Sequence, residues 1–303
     1  MPREIHRTVD PPDAEEQESL YKGTRLTDAH YDELITGDAV VYDRNGKVLL
    51  KFVKACLPEQ RTIWAYHVLR KIRGEATNRH IAAIGRTEQP ILLDGTKSKT
   101  TRIDRRAHPE VAQMSSAVIG SMDRYARFPY CRLTAYNINH SAEFTSLYPW
   151  FQDVGNAFRV HMPDHHEAQM EVVRDTEEDW MISGTPWTTI TVNRNFPTRG
   201  HVDAGDLRAG FGVMTVLGNG LYDGGYFVMP AYKIAVDAQM GDVILADVHE
   251  WHGNTVMSNR RVGYERVSCV FYYRERMHEC GTAQEEYHRV KNRKEGDKLY
   301  SPS

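Results

Sequence analysis

Two histidines and an aspartate from well-separated parts of the chain form its most informative pattern. The stretch Thr198-Arg-Gly-His-Val-Asp-Ala-Gly-Asp206 contains an H-x-D pair, His201 and Asp203. A second stretch, Gly241-Asp-Val-Ile-Leu-Ala-Asp-Val-His-Glu-Trp-His-Gly-Asn254, offers a distal histidine at His249 or His252. His252 is preferred: it follows a Gly-Asp-hydrophobic strand pattern and lies 51 residues after His201, enough to span the intervening strands. Two imidazoles and one carboxylate hold Fe(II) on one face and leave the opposite positions open. A keto acid could chelate there through its 2-oxo and C1-carboxylate oxygens, with dioxygen beside it. Oxidative decarboxylation then yields an oxidant able to take hydrogen from a C–H bond.

Arg266 opens an apolar strand pattern fourteen residues beyond His252. Its guanidinium is suited to a bidentate salt bridge with the distal carboxylate of 2-oxoglutarate. Ser268, two residues on and on the same strand face, is placed to hydrogen-bond the same group. A lone H-x-D is mostly accidental. The reading rests on its combination with the distal histidine, the Gly224-Gly225 turn and Arg-x-Ser. His161, His165 and His166 form a rival cluster, but Pro163 interrupts any helical i,i+4 pair, and surface histidines are the better explanation.

Short β-rich runs separated by glycine and polar turns surround these residues. They are Trp187 to Val192, Phe211 to Leu217, Gly225 to Met229, Lys233 to Val236, Asp242 to Ala246 and Arg266 to Tyr273. Their spacing predicts an α+β fold whose core is a double-stranded β-helix, a jelly-roll or cupin-like double sheet, buttressed by upstream helices. Ahead of it, Ala39 to Tyr42 and Lys47 to Val53 flank Asn45-Gly46, a hairpin signal. A helix is expected from about Glu59 to Arg73, a strand from Tyr130 to His140, and a helix or loop around Tyr148 to Phe151. The chain divides into a polar arm (1–34), a single domain (35–280, core about 130–276) and a polar tail (281–303).

The 303 residues, 41% apolar and 26% charged, are ordinary globular composition with no repeat. A net charge of −3 does not mark the whole chain as a polyanion binder. Between Arg61 and Arg106, however, eleven Lys or Arg stand against four Asp or Glu, either a phosphate-tracking patch or a solvated face. No apolar run approaches a membrane span, and the first twenty residues lack the apolar core of a secretory signal, so an intracellular, soluble protein is expected. Cys56, Cys131, Cys269 and Cys280 show no C-x-x-C spacing and are read as reduced, mostly buried thiols.

The stretch from Trp187 to Arg276 resembles the Fe(II)/2-oxoglutarate oxygenases. More narrowly, Arg266-Val-Ser-Cys-Val-Phe-Tyr-Tyr-Arg274 and Cys131-Arg-Leu-Thr-Ala-Tyr136 are similar to the TET and J-base-binding-protein (JBP) branch, which hydroxylates the 5-methyl group of pyrimidines in DNA. The resemblance implies Fe(II), 2-oxoglutarate and O2, and a DNA substrate whose base is flipped out of the duplex. It places a base-facing polar residue at Asp206. A carboxylate there can accept from the N4 amine of cytosine but would repel thymine O4, which favours 5-methylcytosine; a turn-forming aspartate is the bland alternative. Arg274 stands where animal TET enzymes have a histidine near the base. It could donate to cytosine N3 or O2, or pair with a phosphate or a core carboxylate. Arg132 is a candidate for 2-oxoglutarate or substrate on the resemblance alone, with a structural ion pair as the alternative.

Two other readings compete. One keeps the chemistry and changes the substrate to thymine in DNA, a free nucleoside, an amino acid or a protein side chain. The other is a cupin-like sensor that holds metal without turnover and has no need of Arg266 and Ser268. No obligate protein partner or membrane association is expected.

Overall fold

The computed structural model describes residues 1–72, 81–84, 113–125 and 128–292. The chain forms two compact units. The first comprises Met1–Ala117, Thr191–Ala204 and Val213–Val270; the second comprises Val118–Ile190, Gly205–Gly212 and Phe271–Ser303.

The first unit is a double sheet. In its larger sheet, strands Arg3–His6, Ala39–Tyr42, Val48–Val53, Val243–Ala246, Gly212–Gly218 and Arg266–Tyr272 lie side by side in that order, followed by Thr189–Arg194. The smaller sheet runs Gly253–Asn254, Phe227–Met229, Ile234–Val236, Glu33–Ile35. Met214, Val216, Ile244 and Ala246 from the larger sheet share one buried cluster with Phe227, Met229, Ile234 and Val236 from the smaller. Alternate residues of each strand thus supply the core of the expected jelly roll. All six expected runs are strands, with ends shifted by up to two residues.

The Asn45-Gly46 hairpin forms as expected, with Ala39 opposite Phe52 and Val41 opposite Leu50. Asp43 accepts from the Asn45 and Lys47 amides, both at 2.8 Å, and Gly46 takes the left-handed φ of +84° that the turn needs. The helix after it is Glu59–Leu69, shorter than the stretch to Arg73. It buries Thr62, Ala65, Tyr66, Val68 and Leu69, and the Tyr66 hydroxyl donates to Glu265 at 2.8 Å. That bond fixes the helix against the residue preceding Arg266.

The polar first 34 residues are built into both sheets. Arg3–His6 pairs in parallel with Ala39–Tyr42, and Glu33–Ile35 with Ile234–Val236. Ile5, Tyr21 and Leu26 anchor the stretch in the core. A strand with a single buried residue shows no alternating pattern, so nothing in composition announces it.

In the second unit, helices Tyr148–His161 and Pro163–Val173 each carry proline in their first turn, where its missing N–H costs nothing. Trp150, Phe151, Trp187 and Phe271 pack as rings with centroids 4.8–5.8 Å apart. The strand expected over Tyr130 to His140 is corrected. Only Arg132–Leu133 pairs, with Ser121–Met122, and Ala135–Asn139 is helical. Thr134 caps that helix, and the Asn137 side chain accepts from the Gly120 amide at 2.7 Å, so polar side chains here take the bonds a strand would have used.

The cysteine reading is also corrected. Cys131 and Cys280 form a disulfide, with Cα atoms 6.0 Å apart, while Cys56 and Cys269 are free thiols. A separation of 149 residues leaves no local signature of the pairing. The polar tail begins with helix Ala283–Lys291, whose Glu286 is buried, pairs with Arg124 and accepts from the Cys131 amide at 2.8 Å. The basic segment from Arg61 to Arg106 lies for the most part outside the described residues. Among those described, no helix is long and apolar enough to cross a membrane.

Candidate metal centre

His201 and His252 face each other across an isolated antiparallel bridge. Each main-chain N–H donates to the other's carbonyl at 2.9 Å, and the ring centroids are 4.4 Å apart. The Asp203 amide donates to Val248 O at 3.0 Å, which draws the next turn of chain toward the same point. Asp203 Oδ1 lies 3.6 Å from His201 Nε2, and Oδ2 lies 3.5 Å from His252 Nε2. One ligand atom from each residue falls within 4.8 Å of the others, a cluster fit for a single ion.

Both imidazoles are oriented from behind. Nδ1 of His201 contacts Arg199 O at 2.7 Å, and Nδ1 of His252 contacts Glu250 O at 2.9 Å. A carbonyl oxygen only accepts, so each Nδ1 carries a proton and Nε2 faces the centre, the arrangement usual for metal-binding histidine. Burial, then the neighbouring His252, hold the His201 imidazole below its ordinary value. Burial would lower His252 as well, but the hydrogen bond and charge of Asp203 raise it. Asp203 therefore favours positive charge at this point, which a bound cation would supply. The donor set fits ferrous iron. His249, the alternative distal ligand, instead has Nδ1 3.3 Å from Asp247 Oδ1.

Arg266 and Ser268, each 3% exposed, share one face of their strand. The Arg266 guanidinium makes no hydrogen bond or ion pair among the described residues. Burial lowers its pKa, opposed by the charge interactions with Tyr222 and Asp237. Gly225, at φ +70°, clears the way for this side chain, since a Cβ there would meet Arg266 Cδ and Nε at 3.0 Å. A buried cation with no ion pair is costly, and a carboxylate ligand would offset that cost.

The remaining candidates lie in the second unit. Asp206 is 8% exposed and bridges by its main chain to Arg274. Arg274 Nε donates to the buried Asp123 at 2.6 Å; burial works against the charge, but Asp123 raises the Arg274 pKa. Of the alternatives open for Arg274, the core carboxylate is thus observed. Asp123 was not singled out from sequence: a lone aspartate just past a strand end carries no signal. Arg132 stacks on Phe128 and Tyr125, with guanidinium-to-ring distances of 4.3 and 5.0 Å. Its Nη1 is buried without a hydrogen-bond partner among the described residues. No structural ion pair of Arg132 is seen there.

A double-sheet core carrying a two-histidine, one-carboxylate cluster defines the class of non-haem-iron, 2-oxoglutarate-dependent oxygenases, which use Fe(II), 2-oxoglutarate and O2. Residues 121–275 match the Tet_JBP model, the oxygenase domain of the 2OGFeDO superfamily, and the chain belongs to that family. It is a dioxygenase by that membership. Thymine dioxygenase JBP1 of Trypanosoma brucei brucei is 30% identical over 284 residues, covering 92% of this chain and 30% of that protein. The bifunctional helicase and thymine dioxygenase JBP2 of Leishmania tarentolae is 29% identical over 248 residues, covering 80% of this chain and 20% of its own length. The chain thus spans less than a third of these curated relatives. A solved structure of NgTET1 in complex with 5mC DNA shares the fold, with a TM-score of 0.58 at 13% identity, covering 90% of this chain and 89% of the other.

Proposed function

We propose that the chain hydroxylates the 5-methyl group of a pyrimidine in DNA, with 5-methylcytosine the favoured base. His201, Asp203 and His252 hold Fe(II), and Arg266 with Ser268 takes the distal carboxylate of 2-oxoglutarate. Arg132, whose Nη1 is buried without a hydrogen-bond partner among the described residues, is a further donor toward co-substrate or substrate. The observation that carries the enzymatic reading over a metal-holding sensor is the buried Arg266, whose guanidinium makes no hydrogen bond or ion pair among the described residues. Bound iron supplies the oxidation, with 2-oxoglutarate and dioxygen consumed together. The protein's part is to orient both imidazoles through their Nδ1 hydrogens and to anchor the co-substrate through Arg266 and Ser268.

A methyl group inside a duplex is out of reach of such a pocket, so the base must be flipped out, at a cost of a few kcal/mol. Asp206 offers an acceptor for cytosine N4–H, and Arg274, steadied by Asp123, offers donors for N3 or O2. A second reading, thymine in DNA, is favoured by the relatives named thymine dioxygenases. The same pair could serve it in another register, with arginine donating to O4 and the carboxylate accepting from N3–H.

The test is mass spectrometry of nucleosides from DNA incubated with iron-loaded protein, 2-oxoglutarate and air. Duplexes carrying 5-methylcytosine, unmethylated thymine-containing duplexes and free nucleosides are compared. Hydroxymethylcytosine is expected. Hydroxymethyluracil alone would move the assignment to thymine, and succinate release without any oxidised DNA base would refute a DNA substrate.

A further inference from the structure

Asn193 lies on strand Thr189–Arg194, is 8% exposed, and its Oδ1 has no hydrogen-bond partner among the described residues. Native structures rarely leave a buried amide in this state without a bound water or ligand to complete it. The neighbouring strand shows where such a partner would sit. The Asn195 amide donates to Arg266 O at 2.8 Å, and the Arg266 amide donates to the Asn195 side chain at 2.8 Å. Arg194, the residue after Asn193, pairs with Glu265, the residue before Arg266. Because neighbours along a strand alternate faces, Asn193 lies on the face that Arg266 and Ser268 share.

We infer that Asn193 is a third polar contact of the 2-oxoglutarate pocket, alongside Arg266 and Ser268. This rests on the reading of those two residues as the co-substrate anchor. A half-turn of the amide exchanges Oδ1 and Nδ2, so the same side chain presents N–H groups to carboxylate oxygens, which only accept. A purely structural position facing the core of this sheet would be served at lower cost by valine or isoleucine. The polar choice follows from a ligand that arrives with acceptors.

The test is calorimetric titration of 2-oxoglutarate into the iron-loaded protein without oxygen, with iron affinity and thermal melting measured in parallel. Asn193→Ala is expected to weaken 2-oxoglutarate binding about tenfold or more, the effect of one hydrogen bond to a charged group. Asn193→Asp, nearly the same shape, should weaken it further by setting a carboxylate against the dianion. Both should keep wild-type iron affinity. In turnover, Asn193→Ala should raise KM for 2-oxoglutarate and leave KM for the methylated substrate unchanged. Wild-type 2-oxoglutarate affinity in the Ala and Asp variants would overturn the inference. Arg266→Ala is the control: if it loses binding while the Asn193 variants do not, only the role of Asn193 falls; if it also binds normally, the anchor itself is misassigned.

Discussion

The main chains of His201 and His252 exchange both hydrogen bonds at 2.9 Å, and this pairing, not the sequence interval between them, brings the two Nε2 atoms to one carboxylate. The backbone thus fixes two of the three donors before any metal binds. Asp203, two residues from His201 and held through its own amide to Val248, completes the set.

Arg266 makes opposite contributions to stability and binding. Replacing it with methionine removes a buried charge that makes no hydrogen bond or ion pair among the described residues, so the ligand-free protein should gain on the order of 1 kcal/mol. The same change should cost at least about 2 kcal/mol of 2-oxoglutarate affinity, roughly thirtyfold. Denaturant melts and co-substrate titration of one variant check both. A protein destabilised by Arg266→Met would show that the guanidinium is already partnered.

Base choice is expected to respond to Asp206. Asp206→Asn replaces one acceptor oxygen with a donor, and should lower the preference for 5-methylcytosine over thymine by about five- to a hundredfold, the range of one base-edge contact. Competition between the two duplexes in a single reaction measures the ratio. An unchanged ratio would assign Asp206 to the turn alone.

Glu265 makes stability depend on pH. Its carboxylate, 3% exposed, accepts from Arg194 Nε at 2.5 Å and from Tyr66 at 2.8 Å, with Arg70 Nε at 2.6 Å. Burial alone would raise its pKa, but Arg194, Tyr66 and Arg70 together lower it. The unfolded chain therefore binds this proton at higher pH than the folded one. The stabilisation is full above the ordinary glutamate value of about 4.3 and is lost as pH falls through the lower folded value. Glu265→Gln should cost about 2 kcal/mol at neutral pH, because it removes the charge that accepts from Arg194, Arg70 and Tyr66, the two arginines being only partly buried. The gap to wild type should close in acid. Chemical denaturation at a series of pH values tests it, and a gap that widened on acidification would contradict the assignment.

The Cys131–Cys280 bond closes a long loop, so reduction or Cys280→Ser should lower stability by roughly 2–4 kcal/mol. Peptide mapping with and without reductant identifies the crosslink, and thermal melting reports its worth. Equal melting with and without reductant would mean that the bond contributes nothing.

The six core strands were legible because each is a short run rich in apolar residues closed off by glycine or polar turns, and H-x-D was legible because its two residues are near neighbours. His252 could be ranked above His249 from the strand pattern before it, and the bond network turns His249 toward Asp247. Other features left no local trace. Strand Arg3–His6 buries only Ile5, the disulfide joins residues 149 apart, and the Asp123 clamp on Arg274 depends on chain that meets only after folding. Between Thr134 and Asn139, capping by side chains overrode a sequence that reads as strand.

Titration of ferrous iron under anaerobic conditions tests the central claim most directly. Wild-type protein should bind one ion per chain, His252→Ala and Asp203→Ala should each lose at least about a hundredfold in affinity, and His249→Ala should bind as wild type. Iron bound normally by His252→Ala, or lost in His249→Ala, would contradict the assignment.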